Sequence, residues 1–218
     1  MSPHGFGRPT HLEPHLPAPD GTDPEAPAGW PPDERISRIP GNQEFEFRLG
    51  EETPLPSDDP EALTDARHFR DVLGRFCTGI TVVTSMANGT PVGMTCQSFS
   101  SVSLSPPLVL FCPAKTSSAW PQMHRAGFFC VNLLADGQHE LSTRMATKGV
   151  DKFEGVGWSP ATSGAPLLDG ILGYVDCTIQ AVHEAGDHYV VIGSVDDLGF
   201  GDAEEPLLFF RGKYTGTR

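Results

Sequence analysis

The residues most able to do chemistry lie between Pro91 and Ser118, in PVGMTCQSFSSVSLSPPLVLFCPAKTSS. Thr95, Ser98, Ser100, Ser101, Ser103, Ser105, Thr116, Ser117 and Ser118 put nine hydroxyls into 28 positions, with Lys115 as the one charge. A purely apolar core has no use for so many, because each buried hydroxyl needs a hydrogen-bond partner. A site for a flat, polar-edged, phosphate-bearing ligand does need them; a Ser-rich surface loop is the alternative. Two smaller signals follow. Gly186-Asp187-His188 forms a turn leading into a strand pattern, and Phe210-Arg211-Gly212-Lys213-Tyr214 places a guanidinium among aromatics near the C-terminus. No nucleophile–base pair and no GxGxxG is legible, so a dinucleotide would not be held in the Rossmann manner.

Charge and cysteine usage narrow the classes. The formal charge is −13, and residues 1–65 hold 14 acids against 4 arginines, which leaves about −3 for the rest. Such a balance argues against nucleic acid and anionic membranes as partners. Cys77, Cys96, Cys112, Cys130 and Cys177 are odd in number and lack CxxC spacing, as expected for small buried hydrophobes in a reducing compartment rather than a metal site. The first residues show no apolar signal-peptide core, and no apolar run approaches the ~20 residues of a membrane span, so a cytoplasmic location is expected.

The elements that must position these groups follow a Pro-rich start. Residues 1–60 carry 13 of the 21 prolines and many acids, and are expected to be largely disordered; the division is a 1–62 extension and a 63–218 folded domain. Residues 43–49 alternate apolar and polar and suggest an edge strand. His4, His11 and His15 are read as solvated. Thr64 offers a helix N-cap, Phe69, Val72, Leu73 and Phe76 recur at helical spacing, and Gly79 is expected to end that helix. Strands are expected at Ile80–Ser85, Val92–Cys96, Leu108–Cys112, Phe128–Leu134, Ile171–His183, His188–Leu198 and Leu207–Arg211. An Asn88-Gly89 hairpin turn joins the first two, and Ser101 to Pro107 form a turn before the third. Helices are expected over Ser117–Ala126 and Asp136–Thr147. Without a βαβ rhythm, this describes a mainly β antiparallel barrel with peripheral short helices. The head of the Ser117–Ala126 helix, with Lys115, Ser117 and Ser118, has the donors of an anion site.

Seven segments in order, TGITVVTS, GMTCQSFSSVSLSPPLVLFC, KTSSAW, FFCVNLL, DKFEGVGW, GDHYVVIG and LLFFRGKYTG, resemble the flavin reductase domain family. These are short-chain NAD(P)H:flavin oxidoreductases of two-component monooxygenases, and the wording is nearest to reductases of steroid-degradation hydroxylases. The resemblance covers about Phe69 to Gly216. It implies an FMN-binding split β-barrel that forms homodimers, binds FMN or FAD, and takes hydride from NADH or NADPH. It further implies that Pro91, Val92, Gly93, Met94, Thr95, Gln97 and Ser98 run beside the flavin ring, with Gly93 allowing close approach of the main chain. Cys96-Gln97 stands where many relatives carry Ala-Asn. Ser101, Cys112, Pro113 and Ala114 would flank the ribityl chain, Lys115, Ser117, Ser118 and Arg144 would meet phosphate, and Phe153 would pack against the ring systems. His188 would sit by the nicotinamide as the catalytic residue, with Phe210, Arg211 and Tyr214 around the dinucleotide. The activity implied is NADH-dependent reduction of a flavin that is then released to a partner monooxygenase. A flavin-binding electron carrier on the same barrel, or a docking protein acting through its acidic tail, are the rival readings.

Overall fold

The computed structural model describes residues 68–217. The expected strand at residues 43–49, the tail histidines and the Thr64 cap lie outside them. Among the described residues, 68–73 are helical, and twelve strands and two further helices are numbered in chain order. A seven-stranded antiparallel sheet runs β3-β2-β6-β9-β10-β5-β4: β2 is Thr81–Ala87, β3 Thr90–Cys96, β4 Ser100–Leu104, β5 Pro107–Phe111, β6 Phe128–Leu133, β9 Gly173–Ala185 and β10 His188–Phe200. Helix α1 is Trp120–Ala126 and α2 is His139–Ala146. Short ladders join β1 (Thr78–Gly79), β11 (Leu208–Phe210) and β12 (Lys213–Thr215), and β7 (Trp158–Pro160) with β8 (Pro166–Leu168). Among the described residues no helix is long and apolar enough to cross a membrane.

The hairpins follow their turn chemistry. Asn88 and Gly89 have φ of 50° and 77°, and Ala87 pairs with Thr90, the two-residue loop that a right-handed strand twist prefers. At the tip of the long β9–β10 hairpin, Gly186 supplies a φ of 62°. One core cluster gathers Val83, Val109, Phe111, Trp120, Met123, Phe129, Val131 and Val191 inside the barrel. Phe129 meets Phe111 edge-on at 4.9 Å. Residue 193 must be glycine for Phe129 to lie there, since a Cβ would come within 2.5 Å of its ring. A second cluster, with Leu134, Met145, Leu168 and Ile171, packs α2 and the β7–β8 hairpin against the outside.

Several sequence expectations change. Gly79 does not end the first helix: helical residues stop at 73, the Gly74 amide bonds to Arg70 O, and Gly79 lies in β1. The apolar stripe Phe69, Val72, Leu73 and Phe76, expected only to be helical, is exposed. Ser101 to Pro107 is not one turn. Ser100–Leu104 is a strand paired with β5 around a register shift, so only the residues at its end make the hairpin. Both expected helices begin about three residues later than predicted, because Ser117–Ala119 and Asp136–Gln138 are turns leading into them.

Asn132 is buried where β6 passes under β8. Its Nδ2 donates to Val82 O, Thr84 Oγ1 and Pro166 O at 3.1–3.3 Å, and its Oδ1 accepts the Leu168 N–H at 2.8 Å. Asn132→Ala would leave that N–H buried and unpaired beside a cavity, and is expected to destabilise the fold by about 3 kcal/mol in denaturant titration.

Candidate functional site

Ser98 lies in the connection from β3 to β4 and continues the β4–β5 register, in which Ser100 faces Leu110. Its Oγ accepts the Cys112 N–H at 2.9 Å and donates to Cys112 O at 3.3 Å. Cys96 Sγ lies 3.1 Å from the same hydroxyl. Burial pushes the Cys96 thiol pKa up, so it serves there as a protonated S–H donor.

The chain leaving β5 is strapped to the β9–β10 tip. Ala114 bridges to His188, Tyr189 N–H donates to Pro113 O at 2.9 Å, and Lys115 N–H donates to Asp187 O at 2.9 Å. Ser117 Oγ donates to Met94 Sδ at 3.7 Å and accepts the Trp120 N–H at 3.2 Å. The end of β3, the 112–118 loop and the His188 turn therefore form one structure at one end of the barrel. His188 Nδ1 lies 2.8 Å from Asp187 Oδ1, and its side chain remains 45 % exposed. That hydrogen bond holds the Asp187 carboxyl below the usual carboxylate range. A carboxylate only accepts, so Nδ1 is the donor of that pair and Nε2 is left for a ligand.

A second group sits where β3 meets α2. Thr95 Oγ1 donates to Ser142 O at 2.5 Å, and the buried Ser142 hydroxyl lies 3.0 Å from Tyr214 Oη. The Gly93 Cα faces Met145 and Phe153: a Cβ would lie 3.0 Å from Met145 Sδ and 3.2 Å from Phe153 Cζ. Lys152 Nζ donates to Gly93 O at 3.0 Å and to Met145 O at 2.6 Å. Glycine at 93 thus makes room for this chain's own α2 and Phe153.

Other candidates stand apart. Pro91 and Val92 lie near the hairpin end of β3, opposite Met86 and Ser85, and Pro91 is about 23 Å of strand from Ser98. Ser101 is exposed on β4, and Ser118 is exposed before α1. The Lys115 ammonium is compensated by Glu184 at 3.1 Å and lies 5.5 Å from the Tyr189 ring centre. Arg144 donates to Glu154 O at 2.6 Å and lines a separate groove of about 490 Å³ with His139 and Asp151. Arg211, in the β11–β12 turn at φ 50°, contacts Gly74 and Phe210.

Sequence reasoning missed three features. A cavity of about 660 Å³ is lined by Thr78, Thr81, Gln97, Ser98, Phe99 and Leu207 among others. Lys152 and Ser142 were also missed. Lys152 adjoins a residue already singled out, Phe153, and this adjacency was the one signal available for it.

Comparison with known proteins identifies this set of elements. Residues 73–218 match the flavin reductase like domain. The chain belongs to the flavin reductase family. It is 50 % identical over 152 residues to the reductase subunit HsaB of a flavin-dependent monooxygenase from Rhodococcus jostii, covering 70 % of this chain and 78 % of that one. The crystal structure of nitrilotriacetate monooxygenase component B from Mycobacterium thermoresistibile superposes with a TM-score of 0.70 at 48 % identity, covering 72 % of this chain and 88 % of that chain. The Streptomyces globisporus NADH:FAD oxidoreductase SgcE6, solved with NAD and FAD fragments, gives 0.66 at 38 % identity over 70 % of this chain and 92 % of that chain.

The residues present fit a flavin. Thr78 Oγ1 is buried on the cavity wall without a partner, a group that a polar-edged ligand would satisfy. The cavity volume falls within the range of small-molecule sites.

Proposed function

We propose that this chain is the NADH-dependent flavin reductase of a two-component monooxygenase, reducing FMN or FAD and releasing it to a separate oxygenase. The observation that carries the reading is the strapping of the 112–118 loop to the His188 turn beside the end of β3. It gathers ring-edge donors, hydroxyls and an imidazole at one end of the barrel. A bound flavin would supply the acceptor for hydride from the nicotinamide and would carry the electron pair. The chain's own work is binding and orientation. The Thr95–Ser98 segment and the 112–114 loop line the ring and ribityl path, and Ser117 and Ser118 offer hydroxyls to phosphate. His188 orients the nicotinamide and presents Nε2 toward charge that develops during transfer.

Steady-state kinetics crossing FMN and FAD with NADH and NADPH test this reading. The expected result is flavin-dependent NADH oxidation that exceeds NADPH oxidation. Absence of turnover with all four pairs would overturn it.

The working form is a homodimer in the cytoplasm. Phe76 at 76 %, Leu104 at 94 % and Phe200 at 100 % exposure are large apolar groups that a second copy would cover. We divide the chain into a 1–62 extension and a 63–218 reductase domain. Deleting residues 1–60 is expected to leave flavin reduction within about twofold of the full chain, since the match to the flavin reductase like domain begins at residue 73; loss of turnover would assign the extension to the site.

A further inference from the structure

The outer rim of β3 carries a cation that the sequence did not mark. β3 ends the seven-stranded sheet and has β2 as its sole ladder partner there. Antiparallel strands turn alternate backbone groups to either side, so an end strand leaves every second residue's N–H and C=O on its open rim. The carbonyl of Gly93 is on that rim, and Lys152 Nζ takes it at 3.0 Å. The same ammonium donates to Met145 O at 2.6 Å, in the last turn of α2. Both partners are neutral carbonyls. Lys152 forms no ion pair among the described residues, and the adjoining Asp151 carboxylate is engaged by the Phe153 amide at 3.0 Å. By contrast, the cation of the 112–118 loop, Lys115, is neutralised by Glu184.

A half-buried ammonium without a carboxylate is unfavourable unless something anionic offsets it. Burial lowers the Lys152 pKa, as expected for a desolvated, unpaired ammonium. Resting on the function proposed above, in which the flavin ring edge lies along β3, we infer that Lys152 is the cation of the flavin site. It fixes the Gly93 rim carbonyl against α2 and supplies the positive charge that favours reduced, anionic flavin over oxidised flavin. Lys152 acts through the strand rim and is a positioning residue. Its effect is a thermodynamic bias toward the reduced form that a neutral clamp of the same shape would lack.

Two variants separate charge from clamping. Lys152→Gln keeps an N–H₂ donor on a side chain one bond shorter and removes the charge; Lys152→Arg keeps the charge. Dissociation constants for oxidised and, under anaerobic conditions, reduced flavin are measured for each, together with the midpoint potential of bound flavin. Lys152→Gln is expected to weaken reduced flavin about tenfold more than oxidised flavin and to lower the potential, on the scale of a neighbouring charge. Lys152→Arg is expected to keep the affinity ratio within about threefold. Equal weakening of both forms by Lys152→Gln, or no change in either, overturns the inference, as does a Lys152→Arg protein that behaves like the Gln variant. A wild-type chain that neither binds flavin nor oxidises NADH with it overturns the function instead.

Discussion

His188→Ala is expected to lower kcat/KM for NADH by about 100-fold while the Kd for oxidised flavin moves less than about threefold. The size follows from orientation: losing the group that fixes a reactant's pose costs about two orders of magnitude in rate. The imidazole is well placed for this role. Its backbone bridges to Ala114, its Nδ1 is anchored on Asp187 at 2.8 Å, and nearly half of its side chain remains open to a ligand. Asp187→Asn retains an oxygen acceptor but loses the charge, and a smaller loss of about tenfold is expected. The Asp187 pKa is depressed, so its carboxylate is fully ionised at neutral pH. The contact is lost only as pH falls through that lowered pKa, and NADH turnover near neutrality should be insensitive to it. Stopped-flow hydride transfer with NADH and its C4-deuterated form measures the step directly. Unchanged kcat and KM for NADH in His188→Ala would remove His188 from the reaction.

The sheet was legible where strands were apolar and turns had dedicated residues. ITVVTS, LVLFC and FFCVNLL are β-branched or continuously apolar, and Asn88-Gly89 specifies its own turn, so β2, β5, β6 and their neighbours could be read directly. β4 was hidden because its sequence, SSVSL, is polar at three of five positions and is followed by Ser-Pro-Pro, a turn signal. The stripe of Phe69, Val72, Leu73 and Phe76 marked a helix but not its exposure, because periodicity reports an apolar face and not what covers it. The site divides along the same line. The order of its segments could be matched to a family, but its clamps pair residues far apart in the chain: Thr95 with Ser142 across 47 positions, Lys152 with Gly93 across 59, and Ser142 with Tyr214 across 72. Nothing local marks a serine or lysine whose partner lies that far away. Gly93 shows the limit most clearly. Its sequence context suggested space for a ligand, and the fold fills that space with Met145 and Phe153.

That reassignment makes Gly93→Val a demanding test of how β3 is held against α2. The first added carbon would lie 3.0 Å from Met145 Sδ, the movable end of a flexible side chain, and 3.2 Å from Phe153 Cζ. Alanine can be absorbed by a small shift of the methionine. The two further carbons of valine cannot, since Met145 is fully buried and Phe153 packs in the same cluster. The strand and α2 must separate. Separation strains the Thr95–Ser142 and Lys152–Gly93 bonds together, and with them the rim of β3. Overpacking of this kind costs about 1–3 kcal/mol of stability, read as a clear fall in Tm, and the displaced rim of β3 is expected to lower kcat/KM for flavin by about 30-fold. Gly93→Ala should stay within about threefold. The steric origin is checked by Phe153→Ala: combined with Gly93→Val it should recover most of the lost flavin affinity, a coupling that a double-mutant cycle reads directly. Additive losses in the double variant would mean that glycine is needed at 93 for the ligand itself, with the main chain against the flavin and α2 incidental to it.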